Sequence, residues 1–178
     1  MHDMEPMSTA RKVNLVAAFG LALGGIFGLA GTLVSQPHAQ ALLWAIDGSG
    51  LVMAAALLTM KYFRAGQDFV AAGFLVFAVA EGVLMSGTAG GPAASVPAFA
   101  AGVALWSLAL LLISIPRQFA TPVRLVGLVS AILFALIAAR IFGGVQLLPT
   151  SSPLPFYAYP FLVLTFAGWI WELLRERH

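Results

Sequence analysis

Hydrophobic positions along this chain fall into runs that are too long and too continuous for one face of a soluble helix. Six stretches, residues 13–35, 40–60, 69–88, 94–115, 122–144 and 155–174, carry few polar side chains. About 20 apolar residues, rising 1.5 Å each, cross a hydrocarbon core roughly 30 Å thick. The pattern predicts an all-α polytopic membrane protein, a six-transmembrane-helix bundle forming a single domain over residues 1–178. The connections are short, so no separate soluble domain is expected. The first run resembles a secretory leader in its basic flank and in Ala39-Gln40-Ala41, which is similar to a cleavage site. Its apolar stretch is much longer than the 7–15 residues of a typical leader core, so we read it as a span.

Polar positions set the orientation. Arg11 and Lys12 precede the first run, Lys61 and Arg64 follow the second, Arg117 and Arg124 bracket the connection after the fourth, and Arg175 and Arg177 end the chain. Eight of the nine basic residues thus fall on alternate connections, and Arg140 is the ninth. Lys and Arg accumulate on the cytoplasmic side. The expectation is a cell-membrane protein with both termini cytoplasmic. The remaining connections read as turns, notably Gly90-Gly91-Pro92 and Pro149 through Pro155. Aromatic residues near the run ends are expected at the two interfaces: Trp44, Phe156, Tyr157 and Tyr159 outside, and Tyr62, Phe63, Trp169 and Trp171 inside.

Composition agrees with the bilayer and excludes much chemistry. Charged residues make up 9% of the chain, against about 25% in soluble domains. There are no cysteines, and the three histidines, His2, His38 and His178, lie in tails or a short loop. Thiolate chemistry, cysteine metal sites and paired-histidine haem or zinc sites are excluded. No cofactor and no metal is expected, and the net charge of +2 is no nucleic-acid footprint. Gly20, Gly24 and Gly28 recur every four residues. Such a stripe lets another backbone approach closely, either within the bundle or in a homo-oligomer.

Three ionisable residues fall inside the spans: Asp47, Glu81 and Arg140. Each costs about 2.5–3.5 kcal/mol at mid-membrane. From the run midpoints, Asp47 and Glu81 lie about 4–5 Å outward and Arg140 about 10 Å outward. Arg140 leans back toward its helix N-terminus, so the three are expected to share one layer. Two acids and one base leave a surplus negative charge, which calls for a proton, a cation or another solute. Trp106 sits mid-span and needs an acceptor for its indole N–H. Asp47-Gly48-Ser49-Gly50 weakens its helix, and interrupted helices build transporter sites. Close packing by the two glycines explains the same run. An acid pair could serve general acid–base catalysis, but no protease-like signature accompanies it, and no enzyme is expected. Two functions stay open. One is a secondary transporter or channel for a small solute or ion, using Asp47, Glu81, Arg140 and Trp106. The other is an accessory or assembly protein in which the charges form a structural salt bridge.

Part of the chain resembles the small six-helix acetate and succinate uptake permeases. The resemblance runs through Lys61, Tyr62, Gly66, Phe69, Phe74 and Phe77, then Gly102 and Leu105-Trp106, then Leu133-Phe134-Ala135-Leu136. The family's N-terminal proline-containing signature is absent, with Asn14-Leu15-Val16 in that region, and its helix-three tyrosine is Phe77. The resemblance implies a monocarboxylate permease narrowed by Phe19, Phe77 and Leu133.

Overall fold

The computed structural model describes residues 8–88 and 92–176. The turn at Gly90-Gly91, and His2, Arg177 and His178, lie outside these residues. The described chain is all-helical: α1 (Thr9–Leu33), α2 (Pro37–Arg64), α3 (Asp68–Thr88), α4 (Pro92–Ser114), α5 (Thr121–Phe142) and α6 (Tyr159–Arg175). Helices α1 to α5 are long and apolar enough to cross a bilayer. At 17 residues, α6 is shorter than the expected 155–174 run, because Ser152 through Ala158 form turns ahead of it. Large apolar side chains such as Ile26, Leu75, Leu125 and Leu164 face outward around the bundle. Such a surface is a liability in water and the normal solvent-facing surface in lipid.

Local sequence accounts for the helix ends. Ser8 caps α1 by accepting the Arg11 N–H at 3.3 Å. Proline stands in the first turn of α2, α5 and α6, where its missing N–H removes no helical bond. Gly66 ends α2 with φ +71°, and Gly144 follows α5 with φ +94°, a backbone region that favours glycine. In both, the next N–H reaches back around the turn, Gln67 to Tyr62 O and Val145 to Arg140 O. Arg124 caps the end of α4, donating to Ser114 O at 2.9 Å and Ile115 O at 2.8 Å.

The helices form a ring in chain order. Each packs on its sequence neighbours, and α1 packs on α6 to close the circle. Small residues bring backbones together, as expected where lipid removes the hydrophobic drive between helices. Gly20 lies against Gly50 O and Ala54, Gly24 against Leu51, and Gly127 against Ser114. Hydroxyls add ties at the α4–α5 and α5–α6 seams: Ser107 donates to Ala131 O at 2.8 Å, and Ser130 and Thr165 lie 3.3 Å apart. At the end where α1 begins and α6 finishes, Lys61 Nζ meets Glu176 Oε2 at 2.5 Å and Asn14 Oδ1 at 2.9 Å. Asn14 also donates to Leu173 O at 3.0 Å. This knot joins α1, α2 and the end of α6.

Two expectations need correction. α2 is continuous through Asp47-Gly48-Ser49-Gly50. Its glycines serve packing instead, Gly48 against Met85 and Gly50 against Leu23 and Gly20. Several aromatics assigned to the interfaces lie in the interior. Tyr62 and Trp169 are buried in the core, and Trp44 and Tyr159 face a cavity. Being near a helix end fixes depth, whereas the helical face fixes whether a ring points in or out.

A Cβ at Gly20 would come 2.5 Å from Gly50 O and 3.0 Å from Ala54 Cβ, whereas nothing lies within 4 Å of one at Gly82. Gly20→Ala should therefore destabilise the detergent-solubilised protein by about 1–3 kcal/mol through overpacking. Gly82→Ala should leave stability equal or higher. Thermal unfolding of the two variants beside the parent chain checks this ordering.

Candidate functional site

Each ring helix turns one stripe inward. On α2 it runs Trp44, Asp47, Leu51, Leu58 and Tyr62; on α3, Val70, Phe74, Phe77 and Glu81; on α4, Phe99, Val103, Trp106 and Leu110. Steps of three, four or seven residues keep every member on one face. Glu81 thus occupies the next inward position after Phe77, and a carboxylate is carried into the centre of the bundle. It is 2% exposed. Trp106 Nε1 donates to Glu81 Oε1 at 2.8 Å, and the Trp106 ring stacks on Phe77, with centroids 6.0 Å apart and planes 14° apart. The acceptor that the mid-span indole needs is therefore Glu81.

Asp47 and Glu81 line the same cavity, of about 500 Å³. The cavity runs from the α1–α2 connection, at Thr32 and Pro37, and from Leu148 to Thr150 before α6, down to Trp106 and Phe166. Asp47 lies over Gly28, where a Cβ would come 2.9 Å from Asp47 Oδ2. Part of the glycine stripe on α1 therefore makes room for this carboxylate. Asp47 Oδ1 is buried and accepts no hydrogen bond. None of the described residues lining the cavity is a Lys, Arg or His.

Beyond the cavity floor, aromatic rings fill the bundle. Phe77, Trp106, Phe134, Phe166 and Trp169 touch through edge, tilted and stacked contacts. Phe74, Tyr62 and Phe119 extend the column toward the end carrying the basic residues. The site is a one-sided vestibule over an aromatic plug.

Of the residues singled out from sequence, Asp47, Glu81 and Trp106 come together. Arg140 does not. Its side chain is exposed, it stands in the last turn of α5, and α5 packs on α4 and α6 without reaching α2 or α3. Counted along the helices from their ends at the cavity-mouth pole, Arg140 lies about 3 Å in, Glu81 about 10 Å and Asp47 about 15 Å. The expected three-charge layer is thus two acids without the base. At such a depth Arg140 can place its guanidinium among headgroups. The salt bridge that the described residues do make is Lys61–Glu176.

The constriction residues implied by the permease resemblance also separate. Phe77 lies in the plug, Leu133 packs at the edge of the core, and Phe19 is 62% exposed on the outer face of α1. Phe19 therefore cannot narrow a path through this bundle. Sequence reasoning missed Trp44, Phe99, Tyr159 and Phe166 as cavity walls. The available signal was spacing: Tyr159, Leu162 and Phe166 repeat every three or four residues, as do Trp44 and Asp47. Comparison with protein-family models, curated proteins and solved structures found no match to this chain.

Two measurements test the site's geometry. Trp106→Phe removes the donor to a buried carboxylate and should lower stability by about 1–3 kcal/mol. Most of that loss should return when Glu81→Leu is added, since replacing both partners leaves nothing unpaired. Equal stability of Trp106→Phe and the parent chain would count against the hydrogen bond. The absence of cysteines makes labelling clean. Thr32→Cys, on the cavity wall, should react with a membrane-impermeant maleimide, and Ala109→Cys, at a fully buried position, should stay unmodified.

Proposed function

We propose that this chain is a six-span protein of the cell membrane, with both termini cytoplasmic, that carries a small solute or ion through the cavity holding Asp47 and Glu81. The cavity itself is the supporting observation: it reaches two carboxylates inside a mostly apolar bundle. Intramembrane acids that face a bundle interior commonly mark solute or ion paths. Counting α6 as the sixth span rests on its place in the ring and on its length of about 25 Å. That length is accommodated by modest bilayer thinning. The cytoplasmic assignment rests on the basic residues at one pole.

A carrier suits the arrangement better than an open pore. The vestibule enters from the pole away from Lys61, Arg64, Arg117 and Arg124, and the aromatic column closes the other half. The Lys61–Glu176–Asn14 knot ties helices from both edges of the α1–α6 seam. Passage then requires the ring to rearrange around the carboxylates, which is the logic of alternating access. The exposed position of Arg140 takes it out of both the transport layer and the structural bridge of the accessory-protein reading, so the carrier reading rests on Asp47, Glu81 and the cavity.

The test is flux. Proteoliposomes should admit at least one of ammonium, tetramethylammonium, sodium, acetate and urea faster than protein-free vesicles, followed by light scattering and by solid-supported-membrane currents. The doubly neutral variant, Asp47→Asn with Glu81→Gln, should lose that flux while retaining the parent's elution profile. No solute moving above background, or flux unchanged in the double variant, overturns the proposal.

A further inference from the structure

The chemistry of the cavity walls selects a ligand. Two carboxylates face the cavity, and no cationic side chain among the described residues lines it. Asp47 lines the cavity while its Oδ1 is buried without a hydrogen-bond partner, and a positive charge held beside this side chain in the cavity relieves that unfavourable state. Glu81, 2% exposed, has Oε1 committed to Trp106. An anionic ligand would meet these groups with no compensating charge.

A bare metal ion fits poorly. Hard cations take six or more oxygens at close range, and among the described residues no group of three His, Cys, Asp or Glu side chains could hold one. Apart from Thr32, Gln40, Ser95 and Thr150 the remaining wall is apolar, and rings of Trp44, Phe99, Trp106, Tyr159 and Phe166 border the space. Ring faces attract ammonium groups through their quadrupole, and most strongly where water is excluded. At about 500 Å³, the cavity falls within the roughly 300–1,000 Å³ that accommodates small organic ligands.

We infer that the cavity binds a small organic cation, an amine or quaternary ammonium with an apolar substituent. Its charge lies between Asp47 and Glu81, and its apolar part lies against the aromatic wall. As a transport substrate this deepens the carrier reading and rests on it, whereas binding itself is measured independently of flux.

Benzyltrimethylammonium is the probe, with benzyl alcohol, phenylacetate, tetramethylammonium and sodium as comparisons, all added to the full-length protein in detergent. Binding is followed by tryptophan fluorescence and isothermal calorimetry. The aromatic ammonium should bind saturably, and roughly tenfold more tightly than tetramethylammonium, which lacks the ring. Phenylacetate should show no saturable binding. Asp47→Asn with Glu81→Gln should weaken the ammonium by roughly tenfold or more. Glutamine at 81 keeps an acceptor for Trp106, so this variant preserves the wall. Benzyl alcohol or phenylacetate binding as well as the ammonium overturns the inference, as does an affinity unchanged in the double variant. Saturable ammonium binding without flux would sink the carrier reading and leave the cation site standing. Flux of acetate or urea with no ammonium binding would do the reverse.

Discussion

A carboxylate cannot be left against hydrocarbon, and that constraint organises this molecule. Between Asp68 at its start and Ser86 near its end, α3 carries one polar side chain, Glu81. Turning α3 so that Glu81 faces inward also turns Phe74 and Phe77 inward, because all three share one stripe. Trp106 must then present its N–H at the same level, which fixes the rotation of α4. Asp47 faces the same space from α2, and Gly28 on α1 leaves room for it. The interior of four helices is thus aligned by two acids that the bilayer would not tolerate outside.

The same constraint explains why the cavity lies where it does. Aromatic rings pack efficiently with one another and fill the half of the bundle nearest the basic pole. They cannot pack as densely around two carboxylates without leaving oxygens unpaired. The filled half and the hollow half are therefore two responses to one change in side-chain chemistry along the bundle axis, and the boundary falls at the Glu81–Trp106 bond.

Much of this was legible in the sequence because bilayer thickness acts as a ruler. The runs of apolar residues locate the helices to within a few residues for α1, α3, α4 and α5, and the intramembrane acids stand out against them. The errors come from quantities a ruler does not measure. Depth counted from run midpoints puts Arg140 within reach of the acids. Helix α5 ends at Phe142, and its place in the ring keeps it away from α2 and α3. Tyr62, Trp169, Trp44 and Tyr159 were assigned to interfaces from their closeness to run ends, although their helical faces point inward. Gly48 and Gly50 looked like a break, yet they mark where Met85 and Leu23 press against α2. Neighbour order and rotation are settled by packing among helices, and a single apolar sequence carries little record of them.

The ring has a consequence for how the protein is made. Because each helix touches its predecessor in the chain, the four seams from α1–α2 to α4–α5 can form before α6 is in place. The α5–α6 and α1–α6 seams both wait for α6. Until then the Leu162 and Phe166 side of the cavity wall is missing, and Lys61 lacks its Glu176 partner. Closure of the ring therefore depends on α6. Without α6 the cavity that holds both carboxylates would stand open between α1 and α5.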